Sequence, residues 1–146
     1  LVQKLQEKYP TVRFQFKENA PVGIVNADKS GLTSVAINLL ENAVKYSPEP
    51  AEIEVRLARK NGTIEFEVAD NGIGIEDKEK IRIFEKFYRI GNEDTRQTKG
   101  TGLGLFIVKE VIRAHGGDIV ILNNQPKGSI FRVTLPIKAS LPPKRA

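Results

Sequence analysis

Two asparagines one helical turn apart pose the first chemical question of this chain. They stand in NLLENAVKYSP, where Asn38 and Asn42 share one face of a helix that the spacing predicts over residues 29 to 46. Lys45 and Tyr46 follow on that side. Leu32, Val35, Ala36, Leu39, Leu40 and Ala43 form the apolar stripe next to it. Asn costs about 0.6 kcal/mol over Ala inside a helix, so two cost about 1 kcal/mol, which something should offset. The bland account is that both amides face water or bond a loop. The chemical account is that a neutral amide oxygen suits Mg²⁺ already carrying phosphate charge, because hard cations take oxygen ligands. Lys45 would meet phosphate as a point charge. Tyr46 offers a ring and a hydroxyl to a base or ribose.

Two glycine-rich stretches add to this. In VADNGIGIED, residues 68 to 77, a strand ends at Ala69 and Asp70 stands at its mouth. A carboxylate there can accept a hydrogen bond from an exocyclic amine, and Gly72 and Gly74 let backbone approach a ligand closely. Asn71-Gly72 could instead be a hairpin turn, but the residues that follow read as helix, not as a returning strand. In KGTGLGLFIVKEV, residues 99 to 111, glycines run directly into a helix. The free N–H groups and positive dipole end of such a helix start make an anion site. The stretch is no Walker loop, since GxxxxGK[ST] is absent. It is no dinucleotide fingerprint either, since Leu105 holds the last Gly position and no strand precedes it.

The elements that must position these groups follow from periodicity. LVQKLQEKY reads as a short helix stopped by Pro10, and TVRFQFK as a strand with Val12, Phe14 and Phe16 on one face. VGIV, residues 22 to 25, is a second short strand. Asp28 or Ser30 can cap the Asn helix. Ile53, Val55, Leu57 and Ile64, Phe66, Val68 alternate around Asn61-Gly62, which predicts a hairpin. Residues 76 to 87 read as a short helix, and Arg89 to Gly102 as a mobile loop. LGLFIVKEVIRAH is apolar nearly all round, predicting a buried helix ended by His115-Gly116-Gly117. DIVILNN and SIFRVTLP close the unit as strands, with Gly128 in the turn between them. The fold class expected is an α+β two-layer sandwich: a mixed, mostly antiparallel sheet with three main helices on one face.

Composition sets outer bounds. The chain has 146 residues, 40% hydrophobic and 28% charged, which suits one domain with a core, expected over 1–137 with a flexible tail at 138–146. Cys is absent, which excludes disulfides, thiolate metal sites and Cys nucleophiles, and fits a reducing, cytoplasmic setting. No apolar run approaches the roughly 20 residues of a membrane helix, so no membrane contact by this unit is expected. Residue 1 is Leu and Met is absent, which suggests a piece of a longer protein. The net charge of +5 raises a nucleic-acid module, but the basic residues are scattered among acids, so no nucleic acid is expected.

Taken together, the order of motifs resembles the ATP-binding catalytic domain of sensor histidine kinases, in the superfamily of gyrase, MutL and the heat-shock chaperone ATPases. Asn-x-x-x-Asn-Ala-x-Lys-Tyr (38 to 46) matches the N box, Asp70 to Gly74 the G1 box, IFEKFYR (83 to 89) the F box and Gly100 to Leu105 the G2 box. The match spans about residues 10 to 137. The resemblance implies the Bergerat fold, with ATP and Mg²⁺ as ligands. It implies that Asn42 binds the metal with Asn38 supporting it, that Lys45 and Tyr46 meet phosphates and adenine or ribose, and that Asp70 holds the adenine amino group. Gly72, Gly74 and Ile75 would line the adenine pocket. Gly100, Thr101, Gly102, Leu103, Gly104 and Leu105 would cradle the phosphates. Arg89 would reach phosphate from a lid over Lys86 to Gly100. On this reading Asn42, Lys45 and Arg89 carry the catalysis, and Ser129 is a candidate to touch adenine through water.

The resemblance also separates subclasses. Hydrolases of the superfamily carry Glu one turn before the metal-binding Asn, where this chain has Asn38. Glu41 lies about 100° round the helix from Asn42 and should point away. The γ-phosphoryl acceptor would then be a histidine of a phosphoacceptor and dimerisation domain outside these residues, passing the group to an aspartate of a response regulator, with the full-length protein a homodimer. His115 is expected to be a helix C-cap, not that acceptor. The rival readings are an anti-sigma-factor-type serine kinase or another ATPase of the superfamily. The family's usual Pro after Gly-Ile is missing from IEDKEK.

Overall fold

The computed structural model describes residues 1–19, 27–90 and 103–137. Helix α1 (Val2–Lys8) leads into strand β1 (Arg13–Asn19). Helix α2 (Lys29–Lys45) precedes the hairpin of β2 (Glu52–Lys60) and β3 (Thr63–Asp70). The one-turn helix α3 (Glu79–Arg82) comes next, then α4 (Gly104–Ala114), β4 (Asp118–Asn123) and β5 (Ser129–Pro136). The strands form one sheet in the order β1-β2-β3-β5-β4. β1 pairs parallel with β2 and the other pairs are antiparallel, so the mixed sheet and two-layer sandwich stand as expected. The hairpin turn has Asn61 and Gly62 both at positive φ (40° and 81°), which matches the twist of the flanking strands.

Alternation decides which side of each strand is covered. Val55, Val68, Phe131 and Ile121 are register partners across β2, β3, β5 and β4 and belong to the side facing the helices, while their partner on the edge strand β1, Phe16, stays 52% exposed. Val35, Leu39, Leu40 and Ala43 of α2 and Val108 and Ile112 of α4 close the core over them. The register positions between carry charge. Arg56, Glu67 and Arg132 are cross-strand partners, and Glu67 is bonded by Arg132 at 2.7 Å and by Arg56 at 3.5 Å.

Four expectations need correction or placement. The helix expected over 76 to 87 is helical only at Glu79–Arg82. Beyond it the amides of Phe84, Glu85 and Tyr88 bond carbonyls three residues back, and Phe87 sits at φ 66°. These tight turns bring the consecutive Ile83 and Phe84 into the core, while Ile81 on α3 stays 77% exposed. Helix α4 is not buried all round: only Val108 and Ile112 are, and Ile107 is 41% exposed, because one face rests on α2 and β4 and the other is open. Asp28 holds the N-cap position of α2, but neither it nor Ser30 makes a side-chain cap bond. The strand expected at 22 to 25, residues 91 to 102 of the expected loop, and the expected tail at 138–146 lie outside the described residues.

Candidate functional site

Asp70 is the last residue of β3 and continues the core-facing period of Phe66 and Val68, so its carboxylate is carried under the helices. It is 6% exposed. Oδ1 accepts the backbone N–H of Gly72 at 2.9 Å and of Ser129 at 3.1 Å. Oδ2 has no hydrogen-bond partner among the described residues. Burial pushes the carboxyl above the ordinary carboxylate range, against the opposing pull of the two N–H bonds. The backbone there is framed as closely as the side chain. Asn124 Nδ2 donates to the Asp70 carbonyl at 2.8 Å, and a Cβ on Gly128 (φ 105°) would lie 2.0 Å from that oxygen. Asn71 ties the loop after β3 to β2, accepting the Glu52 N–H at 3.1 Å and donating to the Pro50 carbonyl at 3.2 Å. Sequence reasoning missed the parts of Asn71, Asn124 and Gly128, and gave Ser129 only a contact with adenine through water. Backbone amides in a neighbouring turn leave little trace in side-chain type; the glycine before β5 was the one available sign.

On α2 the two asparagines differ. Asn38 Nδ2 donates to the Ser34 carbonyl at 2.8 Å and lies 3.3 Å from Ser34 Oγ. Asn42 is half-buried, and its amide has no hydrogen-bond partner among the described residues. Lys45 and Tyr46 are exposed at the end of the helix. Glu41 turns away as expected and pairs with Lys8 at 3.0 Å.

The glycine stretches close on this ridge from two sides. A Cβ on Gly72 would stand 2.5 Å from the Tyr46 carbonyl, so only glycine lets the loop after β3 touch the end of α2. A Cβ on Gly104 would stand 2.9 Å from Asn38 Oδ1, so the start of α4 touches the middle of α2. Gly74 takes a positive φ of 81°, and Ile75 packs against the core. Leu103 is the N-cap of α4, with no side-chain cap bond, and Leu105 packs against the core. The N–H groups of the first α4 turn therefore lie beside the Asn ridge without intrahelical acceptors. Gly100, Thr101 and Gly102 lie outside the described residues. Arg89 is described and half-buried. Its segment is tied to α4 by Lys86, which stands 5.5 Å from the Phe87 ring and 5.7 Å from the Phe106 ring.

Metal and proton-transfer options are narrow. No group of three His, Cys, Asp or Glu suited to a metal occurs among the described residues. What the ridge offers is amide oxygen: both amide groups of Asn42 are uncommitted among the described residues, and Asn38 is held through Nδ2 alone, so its Oδ1 also stays open; such oxygens fit a hard cation arriving with oxygen ligands of its own. His115, 1% exposed, is structural: its Nδ1 lies 2.8 Å from the Val111 carbonyl, and its Nε2 accepts the Asp28 N–H at 3.0 Å. Those two partners require the neutral Nδ1–H tautomer. No helix among the described residues is long and apolar enough to cross a membrane.

Comparison with known proteins shows the family and the fold. Residues 27–139 match the family model described as histidine kinase-, DNA gyrase B-, and HSP90-like ATPase. The chain is 39% identical over 119 residues to the sensor-like histidine kinase SenX3 of Mycolicibacterium smegmatis, covering 81% of this chain and 31% of that protein. It is 40% identical over 116 residues to the sensor histidine kinase WalK of Bacillus subtilis, covering 78% and 19%. The chain thus spans a third or less of these two relatives. Among solved structures, the mycobacterial sensor histidine kinase MprB superposes with a TM-score of 0.80 at 30% identity, over 95% of this chain and 91% of that one. Full-length ShkA in complex with AMPPNP superposes at 0.79 and 28% identity, over 99% and 30%.

Proposed function

Because the chain belongs to the histidine kinase-, DNA gyrase B-, and HSP90-like ATPase family, we propose that it is the catalytic unit of a two-component sensor histidine kinase. It holds Mg-ATP and presents the γ-phosphoryl group to a histidine on a phosphoacceptor and dimerisation domain outside these residues. The observation that carries the reading is Asp70: a buried carboxylate with Oδ1 occupied by two backbone N–H groups and Oδ2 left to accept from a ligand. An adenine amino group is such a donor, and a site built around a buried acceptor rejects bases that lack it. The AMPPNP bound to full-length ShkA supports nucleotide as the ligand.

Each residue then has a task. Gly72, Gly74 and Ile75 shape the adenine side, and Tyr46 meets adenine or ribose. Lys45, Arg89 and the N–H groups of the stretch from Gly100 through Leu105, with Thr101, Gly102, Leu103 and Gly104, meet the phosphates. Asn42 contributes the protein oxygen to Mg²⁺, and Asn38, anchored on Ser34, supports that wall. Bound Mg²⁺ neutralises phosphate charge. Phosphoryl transfer asks for positioning and charge neutralisation more than for covalent chemistry. The terminal P–O bond to the β-phosphate breaks as a P–N bond to the acceptor imidazole forms, and ADP leaves. Asn38 in place of an acid, and Glu41 held by Lys8, leave no base on this helix for water, so transfer is favoured over hydrolysis. The phosphorylated histidine then serves an aspartate of a response regulator.

Titration calorimetry with ATP and Mg²⁺ tests the site. Asp70→Asn should bind at least tenfold more weakly than the wild type, the scale of one hydrogen bond to a charged group. Undiminished affinity would reject the adenine assignment.

A further inference from the structure

The turn that leads to Arg89 is held by a side-chain clamp that the catalytic reading does not use. The Tyr88 hydroxyl donates to Glu79 Oε2 on α3. Arg82, also on α3, lies over the face of the same ring, 4.5 Å from its centre. The ring packs against the core edge, so Tyr88 is gripped at its tip and on its face. The adjoining residue Phe87 sits at φ 66°, a conformation an L side chain holds only when its surroundings impose it. Glu79 and Arg82 are one turn apart, so a single turn of helix presents both. The other neighbours of the turn are Phe84, buried under Lys109, and Phe106, near Lys86.

We propose that Glu79 is a positioning residue for phosphate recognition, fixing Tyr88 so that Arg89, the next residue, is aimed at the nucleotide's terminal phosphate. This rests on the reading of Arg89 given above. The bond to Glu79 also raises the Tyr88 hydroxyl above its ordinary range. Without the clamp the turn can rotate about residues 86 to 88, and Arg89 spends less of its time in reach of the γ-phosphate. ADP, which lacks that group, should be nearly indifferent to the change.

The test is the ratio of ATP to ADP affinity, measured by titration calorimetry on the full chain with Mg²⁺. Arg89→Ala should reduce the ratio roughly tenfold, the size of one charge-assisted contact. Glu79→Ala and Tyr88→Phe should each reduce it by about threefold to tenfold on the same scale. Glu79→Gln, whose amide oxygen still accepts the hydroxyl, should restore most of it. Adding Glu79→Ala to Arg89→Ala should change the ratio little further. If Glu79→Ala instead weakens ATP and ADP equally, or lowers only the melting temperature, the clamp is merely structural and the inference fails. If Arg89→Ala reduces the ratio and Glu79→Ala leaves it intact, the inference fails while the role of Arg89 survives. If Arg89→Ala leaves the ratio unchanged, both fall.

Discussion

A carboxylate that a fold buries for a ligand is a liability while the ligand is absent. Asp70 loses water on burial and recovers two N–H bonds, and its proton affinity ends above the ordinary range. The sign of the consequence follows from linkage. Between the unfolded and folded pKa values the folded chain holds a proton that the unfolded chain has lost, so stability falls as pH rises through that window. Above it the cost is present in full; below the ordinary carboxylate range it is gone. Asp70→Asn should therefore melt higher than the wild type at neutral pH, with the gap closing as pH falls through the carboxylate range. Thermal melts across that range check this. A mutant that binds nucleotide less well yet melts higher marks a residue kept for function.

At the scale of elements, the site exists because α2 is approached from both ends. Gly72 brings the loop after β3 to its C-terminal end and Gly104 brings α4 to its middle. The N-terminal end is held by His115, which joins the last turn of α4 to Asp28, the N-cap residue of α2. Replacing His115 with Ala empties a fully buried position and leaves the Asp28 N–H and the Val111 carbonyl without these partners. The cost should be about 2–4 kcal/mol, read from urea unfolding. A destabilisation below about 0.5 kcal/mol would show that the two helices do not depend on this link.

For the molecule as a whole, nucleotide and fold are linked equilibria. A ligand that binds only the folded chain adds about 2.7 kcal/mol at a concentration 100 times its dissociation constant. Mg-ATP should raise the melting temperature of the wild type accordingly. In Asn42→Ala, which loses no hydrogen bond seen among the described residues and gains helix propensity of about 0.6 kcal/mol, the free chain should be no less stable. The additional rise produced by Mg²⁺ over ATP alone should be lost. Equal rises with and without Mg²⁺ in the wild type would remove Asn42 from the metal.

The one-dimensional pattern by itself determined the sandwich. Period-two runs at Ile53 to Leu57 and Ile64 to Val68 and the period of α2 are local, and burial enforces them wherever they occur. The same pattern set the polar ridge of Asn38, Asn42 and Lys45 beside the stripe of Leu39, Leu40 and Ala43, because residues one turn apart must share a face. Tertiary structure decided what no single segment contains. It unwound the segment after Arg82 so that Ile83 and Phe84 could both enter the core. It also placed the Ser129 amide, the Asn124 side chain and Gly128 around Asp70. Those contacts join residues more than fifty positions apart through backbone atoms, which every residue type shares, so side-chain identity carries almost no record of them.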